Sequence, residues 1–99
     1  MLHKYFKMVE KPIQYEGKDS KNPLAFRYYD KNKVINGKTM AEHLRVSVAY
    51  WHTLMGSGRD IFGEAVYDRE WLKSSDPIQR AKDTMEAAFE FLQKLDVDF

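Results

Sequence analysis

The chain has 99 residues, 43% apolar and 31% charged, which fits one globular domain and excludes two. The absence of cysteine excludes disulfides and thiolate metal sites, and fits a reducing compartment. A net charge of +1 hides an asymmetry: residues 1–38 hold nine Lys/Arg against four Asp/Glu, and residues 39–99 hold seven against eleven.

The start, Met1 to Val9, is broken by lysines and has no apolar stretch for a signal peptide. The longest uninterrupted apolar run, Val48–Trp51, is far short of a membrane span, so no membrane is expected and the cytoplasm is the default. Residues 1–38 form a basic, aromatic arm without a sustained period. Its lysines are scattered rather than clustered, which argues against nucleic acid and for a segment lying on its own protein or a sister subunit. Gly17 to Pro23 is a polar loop. Leu24, Phe26 and Tyr28 then alternate with Ala25, Arg27 and Tyr29, as a short strand or an extended surface segment. Asn36-Gly37 is a turn dipeptide, and Thr39 with Glu42 predicts a capping box opening a short helix over Met40–Leu44.

Val46–Thr53 is the one stretch with the character of a buried strand, uncharged and free of Gly and Pro. Alternation puts Val46, Val48, Tyr50 and His52 on one face and Ser47, Ala49, Trp51 and Thr53 on the other. The second face, small until Trp51, suits the lumen of a narrow barrel; an ordinary sandwich or α/β core strand fits the spacing equally well. Leu54 to Gly63 reads as a loop. Gly56-Ser57-Gly58 lacks the third glycine and the immediate helix of a phosphate loop. Residues 64–75 form a polar surface excursion. Asp76 and Pro77 then open the strongest helix, whose apolar stripe of Ile78, Ala81, Met85, Ala88, Phe89, Leu92 and Leu95 predicts packing onto a sheet. The opposite face, with Glu86, Glu90 and Lys94, reads as solvated. Alternation resumes at Asp96–Phe99, giving a βαβ unit cut short. The fold class is therefore α/β, and the chain reads as a piece of a larger protein.

No complete active site is spelled out. His3, His43 and His52 lack metal-ligand spacing, and no serine has a histidine beside it. Trp51 stands apart, at the C-terminal end of the predicted strand, where parallel α/β folds place ligands. Its indole is either core filling or an apolar wall for a substrate; Phe62 in the next loop closes a pocket or reaches a neighbouring subunit.

Several blocks resemble xylose isomerases of the longer-armed class, in family order: Tyr15-Glu16-Gly17, Asn22-Pro23-Leu24-Ala25-Phe26, Gly37-Lys38, Glu42-His43-Leu44-Arg45, Ala49-Tyr50-Trp51-His52-Thr53, Arg59-Asp60, Phe62-Gly63 and Ala88-Phe89-Glu90-Phe91. The resemblance implies residues 1–38 as an N-terminal arm and 39–99 as the first strand–helix unit of a (β/α)8 TIM barrel, truncated at the second strand. It implies a homotetramer that interconverts aldose and ketose sugars, xylose or glucose, by a hydride shift assisted by two divalent cations (Mg, Mn or Co). By matching position, Trp51 resembles the apolar floor under the sugar, Phe62 the aromatic contributed to the neighbouring subunit's pocket, and Arg59 and Asp60 a structural pair of that loop. The family's catalytic pair, metal ligands and lysine fall on later strands, so these residues are expected to hold no catalytic group and no metal, and to be inactive alone. The alternatives are a basic-arm binding module and an interaction protein derived from an isomerase.

Overall fold

A computed structural model describes residues 2–64 and 66–99; Met1 of the lysine-broken start and Ala65 of the polar excursion lie outside the described residues. The dominant element is α2, Pro77–Leu95. Its start follows from local chemistry: the Asp76 carboxylate accepts the Ile78 N–H at 3.1 Å, and Pro77 occupies a first-turn position that needs no donor. Its end is a left-handed residue, Asp96 (φ 60°, ψ 50°). The N–H groups of Asp96 and Val97 turn back onto the carbonyls of Gln93 and Leu92, at 3.2 and 3.0 Å.

The turn dipeptide and the capping box both form as the sequence predicts. Asn36 and Gly37, with φ of 53° and 80°, supply the two left-handed positions that join β1 (Val34–Ile35) to β2 (Lys38–Thr39) in an antiparallel pair. Thr39 and Glu42 then cap each other's backbone at the start of α1, Met40–His43. Upstream, Phe26 bridges Tyr15 in an extended segment while Tyr28 faces solvent.

Val46–Thr53 is not a strand. Residues 45–49 take no regular secondary structure, and Trp51–Met55 close into a π-helical turn. A strand satisfies its backbone only through neighbouring strands, and one inter-segment backbone bond is present here, from Val48 N–H to the Phe99 carbonyl at 2.9 Å. Residues 50–55 take the local alternative, with Thr53 N–H on the Ala49 carbonyl at 2.9 Å.

α2 covers only part of its apolar stripe, burying Ala88 and half-burying Leu92 and Leu95, and its buried face is centred elsewhere. Ile78 and Phe89 are 66% and 53% exposed, and Met85 is exposed too. The buried face carries Thr84, Ala87, Ala88, Glu90 and Lys94. Glu90 is 0% exposed: its carboxylate accepts the N–H groups of Tyr5 and Phe6 at 2.8 and 3.0 Å. One turn on, the Lys94 ammonium donates to the Val9 carbonyl and lies 2.6 Å from Nδ1 of His3. An ammonium has no acceptor, so Nδ1 must be the unprotonated nitrogen of that ring. These two charges belong to the face the sequence reading left solvated, and they tie the arm to α2 through backbone groups and His3.

Trp71 is the hub of the small core, again from a stretch read as surface. Its Nε1–H donates to the Leu54 carbonyl at 2.7 Å, and its ring meets Tyr5 edge-on at 5.5 Å and Phe6 at 5.6 Å. Phe6 in turn meets Phe91 at 5.5 Å. Arm, π-helical turn and α2 therefore converge on one indole. The radius of gyration is 16.3 Å, against about 13 Å for a compact domain of this length. The chain is open, with apolar surface left uncovered.

Two expectations follow. Trp71→Ala should cost about 3–5 kcal/mol in chemical denaturation followed by helix circular dichroism, and Trp71→Phe markedly less; a change below ~1 kcal/mol for Trp71→Ala would remove Trp71 as the hub. Burial pushes the Glu90 carboxyl up. The N–H groups of Tyr5, Phe6 and Lys4, with the Lys94 ammonium, outweigh that and leave it below the ordinary carboxylate value. Its stabilisation is thus complete above the unfolded value and lost as pH falls through the lower folded one. Melting temperature should drop on acidification below about pH 4, and Glu90→Gln should flatten that drop.

Candidate functional site

The residues that the sequence marks for function lie on the π-helical turn and the loop after it. The turn is fastened by its inner side: Leu54 is buried and its carbonyl takes the Trp71 indole N–H. Trp51 and His52, earlier in the same turn, are exposed. Trp51 is 76% exposed.

The following loop is shaped by its glycines. The Ser57 carbonyl accepts both Val66 and Tyr67 N–H groups, at 2.8 and 2.9 Å. Arg69 ties the same segment from the other side, with Nε on the Gly56 carbonyl at 3.2 Å and its guanidinium 4.9 Å from the Tyr67 ring centre. Gly58 has φ +78°, and a Cβ there would collide with Val66 and stand 3.1 Å from the Tyr67 ring. Gly-Ser-Gly therefore serves close approach of two chain segments.

Phe62 stands at the tip of a tight turn and is 90% exposed. The Asp60 carboxylate accepts the Phe62 N–H at 2.7 Å, and Asp60 N–H reaches the Gly63 carbonyl at 3.3 Å. Arg59 pairs with Glu64 at 3.9 Å, with both side chains exposed, so it takes a partner other than Asp60. Trp51 and Phe62 are thus two exposed aromatics on consecutive segments of the chain. A cleft of about 320 Å³ lies elsewhere and includes Phe26, Tyr29, Leu44, Val46, Leu95 and Phe99 in its lining.

The polar chemistry is structural. His43 Nε2 lies 2.7 Å from the Ile35 carbonyl and secures α1 to the hairpin; His3 joins Lys94. Among the described residues no three His, Asp or Glu side chains converge where a metal ion could be held. No described helix is long and apolar enough to cross a membrane. The residues that sequence reasoning missed are Trp71, Glu90 and Lys94. The available signal was one large aromatic amid the polar residues 64–75 and two charges on the α2 face opposite the apolar stripe.

No family model matches the chain. Curated proteins do, and the class they define is that of isomerases. By name they are xylose isomerases. The chain is 54% identical over 95 residues to xylose isomerase of Mannheimia succiniciproducens, covering 96% of this chain and 22% of that protein. It is 51% identical over 98 residues to the xylose isomerase of Actinobacillus pleuropneumoniae serotype 5b (99% and 22%). For the xylose isomerase of Caldanaerobacter subterraneus subsp. yonseiensis it is 54% identical over 95 residues (96% and 22%). The chain therefore corresponds to the N-terminal portion of xylose isomerases, and spans about 22% of the length of these relatives.

The loop geometry predicts a contrast between two glycines. Gly58→Ala should cost about 1–3 kcal/mol and shift the Val66 and Tyr67 amide resonances, because it forces a left-handed alanine into the second segment. Gly63→Ala, with no atom within 4 Å of its Cβ, should leave both resonances in place. Equal behaviour of the two variants in an amide correlation spectrum would contradict this account of the loop.

Proposed function

We propose that this chain is the N-terminal portion of a xylose isomerase, an enzyme that interconverts an aldose (xylose, or glucose) with its ketose in the cytoplasm. The observation that carries the proposal is the 50–54% identity spanning nearly the whole chain, from the arm to the last residues of α2 and beyond. The physical state of the chain supports it independently. α2 has one face covered by the arm and a second, apolar face with Ile78, Met85 and Phe89 exposed. A helix with that pattern suits the outer layer of a (β/α)8 barrel, its free stripe against barrel strands and its other face under the arm. On this proposal residues 1–38 are the arm, and 39–99 the first strand–helix unit with the start of the second strand. Val46–Thr53 becomes a strand once neighbours supply its backbone partners.

Trp51 then forms the apolar wall beneath the sugar, and Phe62 reaches the pocket of a neighbouring subunit in a homotetramer. Their exposure leaves both side chains free for those contacts. Xylose isomerases employ divalent cations (Mg, Mn or Co), which supply charge stabilisation for the hydride shift. The residues here do not fit that group, since no acidic or imidazole cluster forms among the described residues. They are assigned apolar binding and subunit contact, and no proton-transfer or metal-dependent step.

The test is a chimera in which this chain replaces the first 22% of the Mannheimia enzyme. With magnesium present it should convert xylose to xylulose, and Trp51→Ala within it should lower kcat/KM by about 10- to 100-fold, as expected for removing most of an apolar subsite. The 99-residue chain alone should show no turnover. A folded tetrameric chimera without activity, or activity of the short chain, would contradict the proposal.

A further inference from the structure

Residues 45–48 and the segment that leaves α2, 96–99, meet at one backbone hydrogen bond, with two side-chain contacts beside it. Val48 N–H donates to the Phe99 carbonyl at 2.9 Å. The Arg45 guanidinium lies 4.7 Å from the Phe99 ring centre, three residues before Val48. At the other end of residues 96–99, Lys31 Nζ is 2.6 Å from the Asp96 carboxylate, on the very residue whose left-handed backbone turns the chain out of α2. Lys31 is itself fixed, because its carbonyl accepts the Ala41 N–H at 3.1 Å while the Lys33 carbonyl accepts Met40 N–H at 2.8 Å, at the start of α1.

We infer that Lys31 and Arg45 are positioning residues that set where the segment leaving α2 lands along Val46–Thr53, with the Phe99 carbonyl on the Val48 N–H; that these segments become neighbouring strands rests on the barrel reading proposed above. Register in a sheet is specified by a buried face or by the geometry of the connecting turn, and a shift of one residue turns every side chain to the opposite face. Here the connection is long and residues 45–48 and 96–99 form no sheet of their own, so neither device acts. The clamp supplies what is missing. The Lys31–Asp96 pair fixes the exit direction of the chain from α2, and stacking of Arg45 on Phe99 fixes how far along Val46–Thr53 that exit lands. A slip by one residue would separate Arg45 from the Phe99 ring and move the Phe99 carbonyl from the Val48 N–H. The consequence for Trp51, that its position relative to the second strand is set by this clamp, rests on the barrel proposal. The clamp itself does not.

Amide hydrogen exchange of the 99-residue chain at neutral pH tests it, read at Val48. Lys31→Met and Asp96→Asn (which retains a residue tolerant of the left-handed conformation) should each lower Val48 protection about two- to fivefold, the range of a half-exposed ion pair. The double variant should lower it no further than either single one, and Lys31→Arg should restore it. Arg45→Met should lower it through the other contact, additively with Asp96→Asn. Protection of Ala87 and Ala88 inside α2 reports whether the helix persists in each variant. Unchanged Val48 protection in Lys31→Met and Asp96→Asn, or a loss that appears equally at Ala87 and Ala88, would overturn the inference. Failure of the chimera to isomerise xylose would leave these exchange results standing and would remove only the barrel consequence.

Discussion

A fully buried carboxylate organises this chain. Glu90 is removed from water in the middle of α2, a placement that costs several kcal/mol unless its lone pairs find donors. The donors are the backbone N–H groups of Tyr5 and Phe6. Because these are backbone groups, the requirement falls on the path of the arm. Once the arm is laid there, Tyr5 and Phe6 are delivered to the Trp71 ring, and Trp71 in turn holds the Leu54 carbonyl. The same contact that orders the arm therefore holds the π-helical turn on which the exposed Trp51 stands. Lys94, one turn along, balances the charge of Glu90 and extends the tether to His3 and Val9.

This arrangement gives α2 two distinct faces on nearly opposite sides of the helix. The polar and small face is satisfied within the chain, whereas the apolar face around Met85 and Phe89 is not. A helix that meets a segment on one side and a sheet on the other needs both. The same logic accounts for the open shape of the molecule, with apolar side chains of Ile61, Phe62 and Val66 left in solvent.

Local signals in the sequence were legible because their partners are local. Thr39 and Glu42, Asn36 and Gly37, and Asp76 and Pro77 act within a few residues of one another, and each forms as the pattern dictates. The relation to xylose isomerases was legible for a different reason, as an ordered series of short blocks. Non-local features were not. Glu90 and Lys94 look like solvent-facing charges because helical periodicity registers only polarity, and their partners lie more than 80 residues away at Tyr5 and Val9. Trp71 sits in a polar stretch, so its burial was invisible without the arm. Val46–Thr53 has strand composition, but composition cannot supply the neighbouring backbone that a strand requires.

The central claim is that α2 is built to be covered on both faces, by the arm through Glu90 and by strands of the same protein on the stripe of Ile78, Met85 and Phe89. The most direct measurement is a crystal structure of a polypeptide that begins with these 99 residues and continues to the length of the xylose isomerases. The account predicts that Ile78, Met85 and Phe89 become buried against parallel strands while the Glu90 carboxylate still accepts the Tyr5 and Phe6 N–H groups. A structure with that stripe in solvent, or with Glu90 turned outward and the arm elsewhere, would contradict it.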